Sequence, residues 1–167
     1  CFAKSEYFLP ELVMSGEMVK KIFAIVKPKM TGKNAAKGSA GRKGKVLLAT
    51  VRGDVHTVGK DIVSFMLDIN GFEVHDLGVD VPEEKIVQAI KEFKPQVVAL
   101  SGLLTSVYDT MQSTVEAIEK AGLRKKVKIM IGGGTIDERV KDYAGADAFG
   151  FFAIDAVNLA KKWLPEK

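Results

Sequence analysis

Residues 46–78 read VLLATVRGDVHTVGKDIVSFMLDINGFEVHDLG. The run Val46–Val51 is short and continuously apolar, the pattern of a strand buried on both faces. The spacing of Ile62, Phe65, Met66 and Ile69 predicts a helix over 57–70, and Gly71 stands where a helix-ending glycine belongs. Phe72–Asp76 then reads as a second strand. A strand, a helix and a second strand in so few residues predict a parallel crossover unit.

The same alternation continues outward. Pro82 opens a predicted helix carrying Ile86, Ala89, Ile90 and Phe93, since proline is pre-set for a first helical turn. Strands are expected at 97–100, 127–131 and 146–149, and helices at 108–121, 137–143 and 154–164. Five such units predict an α/β fold of the Rossmann-like, flavodoxin-like kind, a five-stranded parallel sheet with helices on both faces. Such sheets bind ligands beyond the carboxyl ends of their strands. The loops after Val51, Asp76, Leu100, Ile131 and Phe149 are therefore the ones to inspect.

On the amino-terminal side, 29–45 (KMTGKNAAKGSAGRKGK) has no apolar periodicity and reads as a flexible linker. Residues 5–27 have helical spacing through Leu12, Val19, Ile22, Phe23 and Val26, too little to bury their own apolar face alone. Three parts are expected: 1–28, a linker over 29–45, and an α/β domain over 46–167. From Met18 to Gly53 there are ten basic residues and no acidic one, against 15 basic and 21 acidic residues elsewhere. A solvated basic linker accounts for this. Nucleic-acid binding is not expected, because the segment lacks the interleaved aromatics that stack on bases.

The 167 residues are 47% hydrophobic and 28% charged, which excludes a disordered tail. No apolar run reaches the roughly 20 residues that cross a bilayer, so no membrane partner is expected. One cysteine, Cys1, excludes a disulfide framework and a multi-cysteine metal site. A cytoplasmic location is expected. A chain opening on cysteine suggests a processed or truncated start.

Three loops carry chemistry. Gly53–Gly59 contains Asp54 and His56, two apart, so both can point the same way in an extended loop. A carboxylate on one ring nitrogen leaves the other free as a metal ligand; a structural or solvated histidine is the plainer reading. A zinc site from Asp54, His56 and His75 is less favoured than a packing role for His75. Ser101–Ser106 (SGLLTS) can line a pocket with hydroxyls, or cap the next helix through Thr105 or Ser106. Gly132-Gly133-Gly134 permits close approach by a ligand or by another backbone. It is neither a Walker loop nor a dinucleotide fingerprint. Gly59 leaves space at the next helix start, where Lys60 and Asp61 are expected in solvent.

Together these residues resemble the cobalamin-binding domain. Its Asp-x-His-x-x-Gly, Ser-x-Leu and Gly-Gly motifs are matched by Asp54-Val55-His56-Thr57-Val58-Gly59, Ser101-Gly102-Leu103 and Gly132-Gly133, in order, over 45–165. Glu6–Glu17 (EYFLPELVMSGE) is similar to the end of the helical cap of methyltransferase corrinoid proteins. The resemblance implies cobalamin or another corrinoid bound with its lower base detached. It makes His56 the lower cobalt ligand, Asp54 its hydrogen-bond partner, and Ser101, Leu103 and Gly132–Gly134 the lining of a slot for the detached tail. Gly102 and Thr105 belong to the same binding loop, and Leu12, Val13 and Met14 are candidates to cover the upper face. It also implies a non-catalytic carrier of a methyl group on cobalt. The partners implied are a donor-specific methyltransferase, an acceptor methyltransferase using a folate or a thiol, and a reductive activase. A regulatory or sensory module and the small subunit of a cobalamin-dependent mutase are the alternatives. Methionine synthases carry a relay serine where Val107 stands here, with Ser106 one residue early, a departure from a three-member relay.

Overall fold

The computed structural model describes residues 42–165 continuously, and before them only Met14, Glu17, Met18, Lys21, Ile22 and 24–26, all helical. The chain divides into two units, Cys1–Ala36 and Lys37–Lys167. Leu12 and Val13 lie outside the described residues, as does most of the stretch read as linker.

The second unit is the α/β fold anticipated above. Strands β1 (Lys45–Thr50), β2 (Glu73–Asp76), β3 (Val97–Ser101), β4 (Lys128–Gly132) and β5 (Ala148–Gly150) form one sheet. Its order is β2-β1-β3-β4-β5, and every neighbouring pair is parallel. Helices α1 (Val58–Ile69), α2 (Glu83–Phe93), α3 (Tyr108–Lys120), α4 (Glu138–Ala144) and α5 (Ala153–Trp163) connect or follow the strands.

Burial follows the two-residue period of a strand. Val46 and Leu48 join Leu67 of α1 and Ala156, Val157 and Ala160 of α5 in one core. Leu47 and Ala49 join Ile86 of α2, Met111 and Ile118 of α3 and Val140 of α4 in the other. The centre of the sheet is therefore apolar on both sides, as the continuous run at 46–51 required.

Strand order reverses between β1 and β3, the position at which such sheets open a crevice. The residues side by side at that carboxyl edge are Thr50, Ser101, Gly132 and Gly150, one from each of β1, β3, β4 and β5. All four are small, and this leaves room at the end of the sheet.

The stripe at Ile62, Phe65, Met66 and Ile69 falls on α1, whose buried residues are Lys60 and Leu67, with Val63 and Met66 packed on the core beside them. Local expectations needed correction in two places. Neither Thr105 nor Ser106 caps α3; a 3-10 turn, Thr105–Val107, precedes it and no side chain caps its start. Arg42, within the stretch read as linker, pairs with Asp68 at 2.8 Å and donates to the Phe72 carbonyl at 2.8 Å.

Asp147 ties the β4 and β5 starts together. Its carboxylate accepts from the Ile129 amide at 2.7 Å and from Arg124 at 2.8 Å, with Lys128 at 3.4 Å. Burial raises its pKa, but these donors lower it by more, so the group titrates below its ordinary value. A carboxyl whose folded pKa is depressed stabilises the fold above the unfolded value, about 3.9, and that contribution disappears as pH falls through the lower folded value. Asp147→Asn is expected to lower stability by about 1–2 kcal/mol at neutral pH. Its unfolding free energy should also fall less steeply below pH of about 4. Urea titrations at neutral and acid pH check both.

Candidate functional site

The loop after β1 is built around one buried carboxylate. Asp54 is 1% exposed. One carboxylate oxygen accepts from the His56 amide at 2.9 Å and meets His56 Nδ1 at 2.5 Å. The other accepts from the Leu103 amide at 2.5 Å and the Leu104 amide at 3.3 Å. Asp54 thus joins the β1 loop to the β3 loop. Burial would raise its pKa; the amides of His56 and Leu103, the His56 ring and the Leu104 amide lower it by more, so it is held as a carboxylate.

An ionised carboxylate only accepts, so His56 Nδ1 is the donor of this pair, and Nε2 is the ring nitrogen left to bind a metal through its lone pair. Among the described residues Nε2 has no partner, and the side chain is 49% exposed. Buried Thr50 holds the loop from below, its hydroxyl donating to the His56 carbonyl at 3.1 Å. The β2 loop braces it from the side, with the Asp80 carboxylate on the Gly53 amide (2.8 Å) and the Asp80 amide on the Asp54 carbonyl (2.9 Å). The outcome is a fixed imidazole with one free nitrogen. No hydroxyl among the described residues bonds Asp54: Val107 is buried in the core, and two backbone amides occupy the second oxygen.

The glycines after β4 are packed against backbone and side chains of neighbouring loops. A Cβ at Gly133, whose φ is +152°, would lie 1.8 Å from the Gly102 carbonyl oxygen. One at Gly132 would be 3.2 Å from the Gly150 oxygen, and one at Gly134 would be 2.9 Å from Leu103 Cδ1. Thr135 extends this seam by donating to the Leu103 carbonyl at 2.8 Å, while Tyr108 donates to the Thr135 carbonyl at 2.8 Å.

Between α1, α5 and the carboxyl edge of the sheet lies a cavity of 280 Å³. Gly59, Ser101, Gly132, Gly133 and Gly134 are among the residues that line it. A Cβ on Gly59 would meet nothing within 4 Å. Leu103 and Thr105 do not line it, and Gly102 is buried behind Gly133. Val55 and Val58 are exposed, and Thr57 precedes α1 without a capping bond. Met14 is helical, in the first unit.

Several lining residues were not anticipated. Lys60 is 4% exposed rather than solvated, its Nζ bonded to Asp61 at 3.0 Å and to Asp76. A buried lysine is tolerated when paired in this way. Phe151 and Phe152 stand at the mouth, 61% and 71% exposed, their amides held by the Asp155 carboxylate at 3.0 and 2.8 Å. Two adjacent aromatics in a loop at the carboxyl edge were the available signal.

Among the described residues from 42 on, eight large apolar side chains are exposed, and seven stand at this edge: Val55, Val58, Leu103, Leu104, Phe151, Phe152 and Ile154. Such a concentration marks a binding face. The cavity itself falls below the roughly 300–1,000 Å³ of sites that enclose a drug-sized ligand. A ligand larger than this would extend from the cavity over the apolar rim. The His75 ring, on β2, packs on Phe93 with centroids 5.1 Å apart.

The family model for the B12 binding domain matches residues 44–157. The chain belongs to that family of corrinoid proteins. The trimethylamine corrinoid protein of Methanosarcina barkeri is 39% identical over 160 residues, covering 96% of this chain and 72% of the relative. The crystal structure of a cobalamin-binding protein from Desulfitobacterium hafniense DCB-2 is 40% identical with a TM-score of 0.72, covering 97% of this chain and 74% of that one. The methanol:cobalamin methyltransferase complex of Methanosarcina barkeri contains a chain that is 26% identical with a TM-score of 0.74, covering 99% of this chain and 61% of that one. The B12-binding domain of this chain thus includes the free imidazole, the rim and the cavity. No described helix is long and apolar enough to cross a membrane.

Proposed function

We propose that this chain carries a methyl group on a corrinoid between a donor-specific methyltransferase and an acceptor methyltransferase. His56 Nε2 is the lower ligand to cobalt, and the corrinoid's own lower base is detached and lodged in the cavity. The bound corrinoid supplies a cobalt that accepts and gives up a methyl group.

The observation that carries this reading is the 2.5 Å contact between Asp54 and His56 Nδ1, which leaves Nε2 unpartnered and half-exposed. Asp54 keeps the proton on Nδ1, orients the ring and raises the basicity of Nε2. The Leu103 and Leu104 amides hold Asp54 anionic while it does so. Val55, Leu103 and Phe152 offer an apolar floor for a corrin face, and Gly59 and Ser101 admit the tail. On this reading the acceptor enzyme uses a folate or a thiol, a reductive activase restores cobalt that has been oxidised, and the cycle runs in the cytoplasm. Residues 1–28 are read as part of the helical cap and 29–45 as its linker.

The test is uptake of hydroxocobalamin by the purified apoprotein, followed by desalting. Near-equimolar retention with the absorption spectrum of imidazole-ligated cobalt is expected. A colourless protein, or a spectrum identical to that of the free vitamin, overturns the reading.

A further inference from the structure

On the function just proposed, the cavity receives a lower base, and its lining bears on which base it accepts. Its buried wall consists of Leu48, Ala99 and Met130 from three adjacent strands, with Val63 of α1 and Ala156 of α5. Leu48, Ala99 and Met130 stand in register across β1, β3 and β4, so their backbone groups lie within the hydrogen-bonded ladder. Two polar side chains reach the cavity. Lys60 Nζ is already held by Asp61 and Asp76. The Ser101 hydroxyl, on the last residue of β3, has no partner among the described residues.

A base entering this space meets, among the described residues, one polar side chain without a partner, the Ser101 hydroxyl, against a wall otherwise apolar. Benzimidazoles and purines share the imidazole half and differ in the six-membered half. There a benzimidazole has only carbon, whereas adenine has two ring nitrogens and an exocyclic amine. Burying such a polar group without a partner costs about 1–3 kcal/mol, while burying carbon and methyl groups is favourable. We propose that this cavity selects corrinoids with a benzimidazole-type lower base and discriminates against those with adenine, and that Ala99, Met130 and Val63 are specificity-determining residues.

The test compares three probes on the full chain by equilibrium dialysis: hydroxocobalamin, its analogue with adenine as lower base, and cobinamide, which lacks the base. Absorption spectra record the cobalt ligand separately. Hydroxocobalamin is expected to bind about 10–100-fold more tightly than the adenine analogue, and more tightly than cobinamide. Ala99→Ser, which places a hydroxyl on the buried wall, should narrow the gap between the two bases. Equal affinities, or a preference for adenine, overturn the selectivity. Cobinamide binding as tightly as hydroxocobalamin also overturns it, since no base would then be held. Absence of an imidazole-ligated spectrum with every probe overturns the His56 reading instead, whatever the order of affinities.

Discussion

Gly133→Ala is expected to destabilise the α/β unit by about 3 kcal/mol or more, from backbone strain of about 1–3 kcal/mol and overpacking of similar size. The added methyl would sit 1.8 Å from the Gly102 carbonyl oxygen, and a φ of +152° is one that residues with a side chain rarely adopt. The Gly102 oxygen belongs to backbone, so relief requires the β3 and β4 loops to part. Those loops carry the Leu103 amide that holds Asp54 and the glycines that line the cavity. Corrinoid uptake should therefore fall with stability. Gly134→Ala makes the comparison, because its Cβ would meet only the tip of the Leu103 side chain at 2.9 Å. It should cost far less. Urea denaturation of both variants, with dialysis against hydroxocobalamin, measures the two effects. A Gly133→Ala protein within 1 kcal/mol of the parent would show that this seam is not close-packed.

His56→Ala is expected to abolish the imidazole-ligated spectrum while leaving the fold nearly as stable as before. The ring is half-exposed, and its internal bonds all run to Asp54 and Thr50. The bonds made by its backbone survive the substitution. Asp54→Ala should behave differently. It leaves the amides of Leu103 and Leu104 without their acceptor, at a cost of about 1–3 kcal/mol, and it frees the histidine ring to turn. Uptake should drop about 10–100-fold, as for loss of a residue that orients a metal ligand. Thermal unfolding separates the pair: His56→Ala stable and altered in spectrum, Asp54→Ala altered in both. Equal losses of stability in the two variants would contradict the placement of Asp54 as the bridge between the loops.

What the sequence made legible is what short range controls. The run at 46–51 needed only its own apolarity to be placed between two helical layers. Asp54 and His56, two residues apart on one loop, met as their spacing suggested. The glycines at 132–134 announce a close approach, but not that the group approaching Gly133 is the Gly102 carbonyl, 31 residues away in the chain. Lys60 was misread for the same reason. A lysine beside an aspartate at a helix start looks solvated, and it takes Asp76 at the end of β2, added to Asp61, to pair an inward ammonium. The amides that hold Asp54 carry no mark in the residue types at 103 and 104, because any residue but proline donates there. Phe151 and Phe152 were visible as a pair, yet their fixed stance depends on the Asp155 carboxylate reaching back to their amides.

The central claim is that the nitrogen beneath cobalt belongs to His56. Protein grown with histidine carrying the heavy nitrogen isotope, loaded with cobalamin and reduced to the paramagnetic divalent state, tests it directly by electron paramagnetic resonance. The account predicts that the three-line nitrogen splitting of the unlabelled sample becomes a two-line splitting in the labelled one. A three-line pattern unchanged by the label would assign that nitrogen to the cofactor's own base, and would contradict the account.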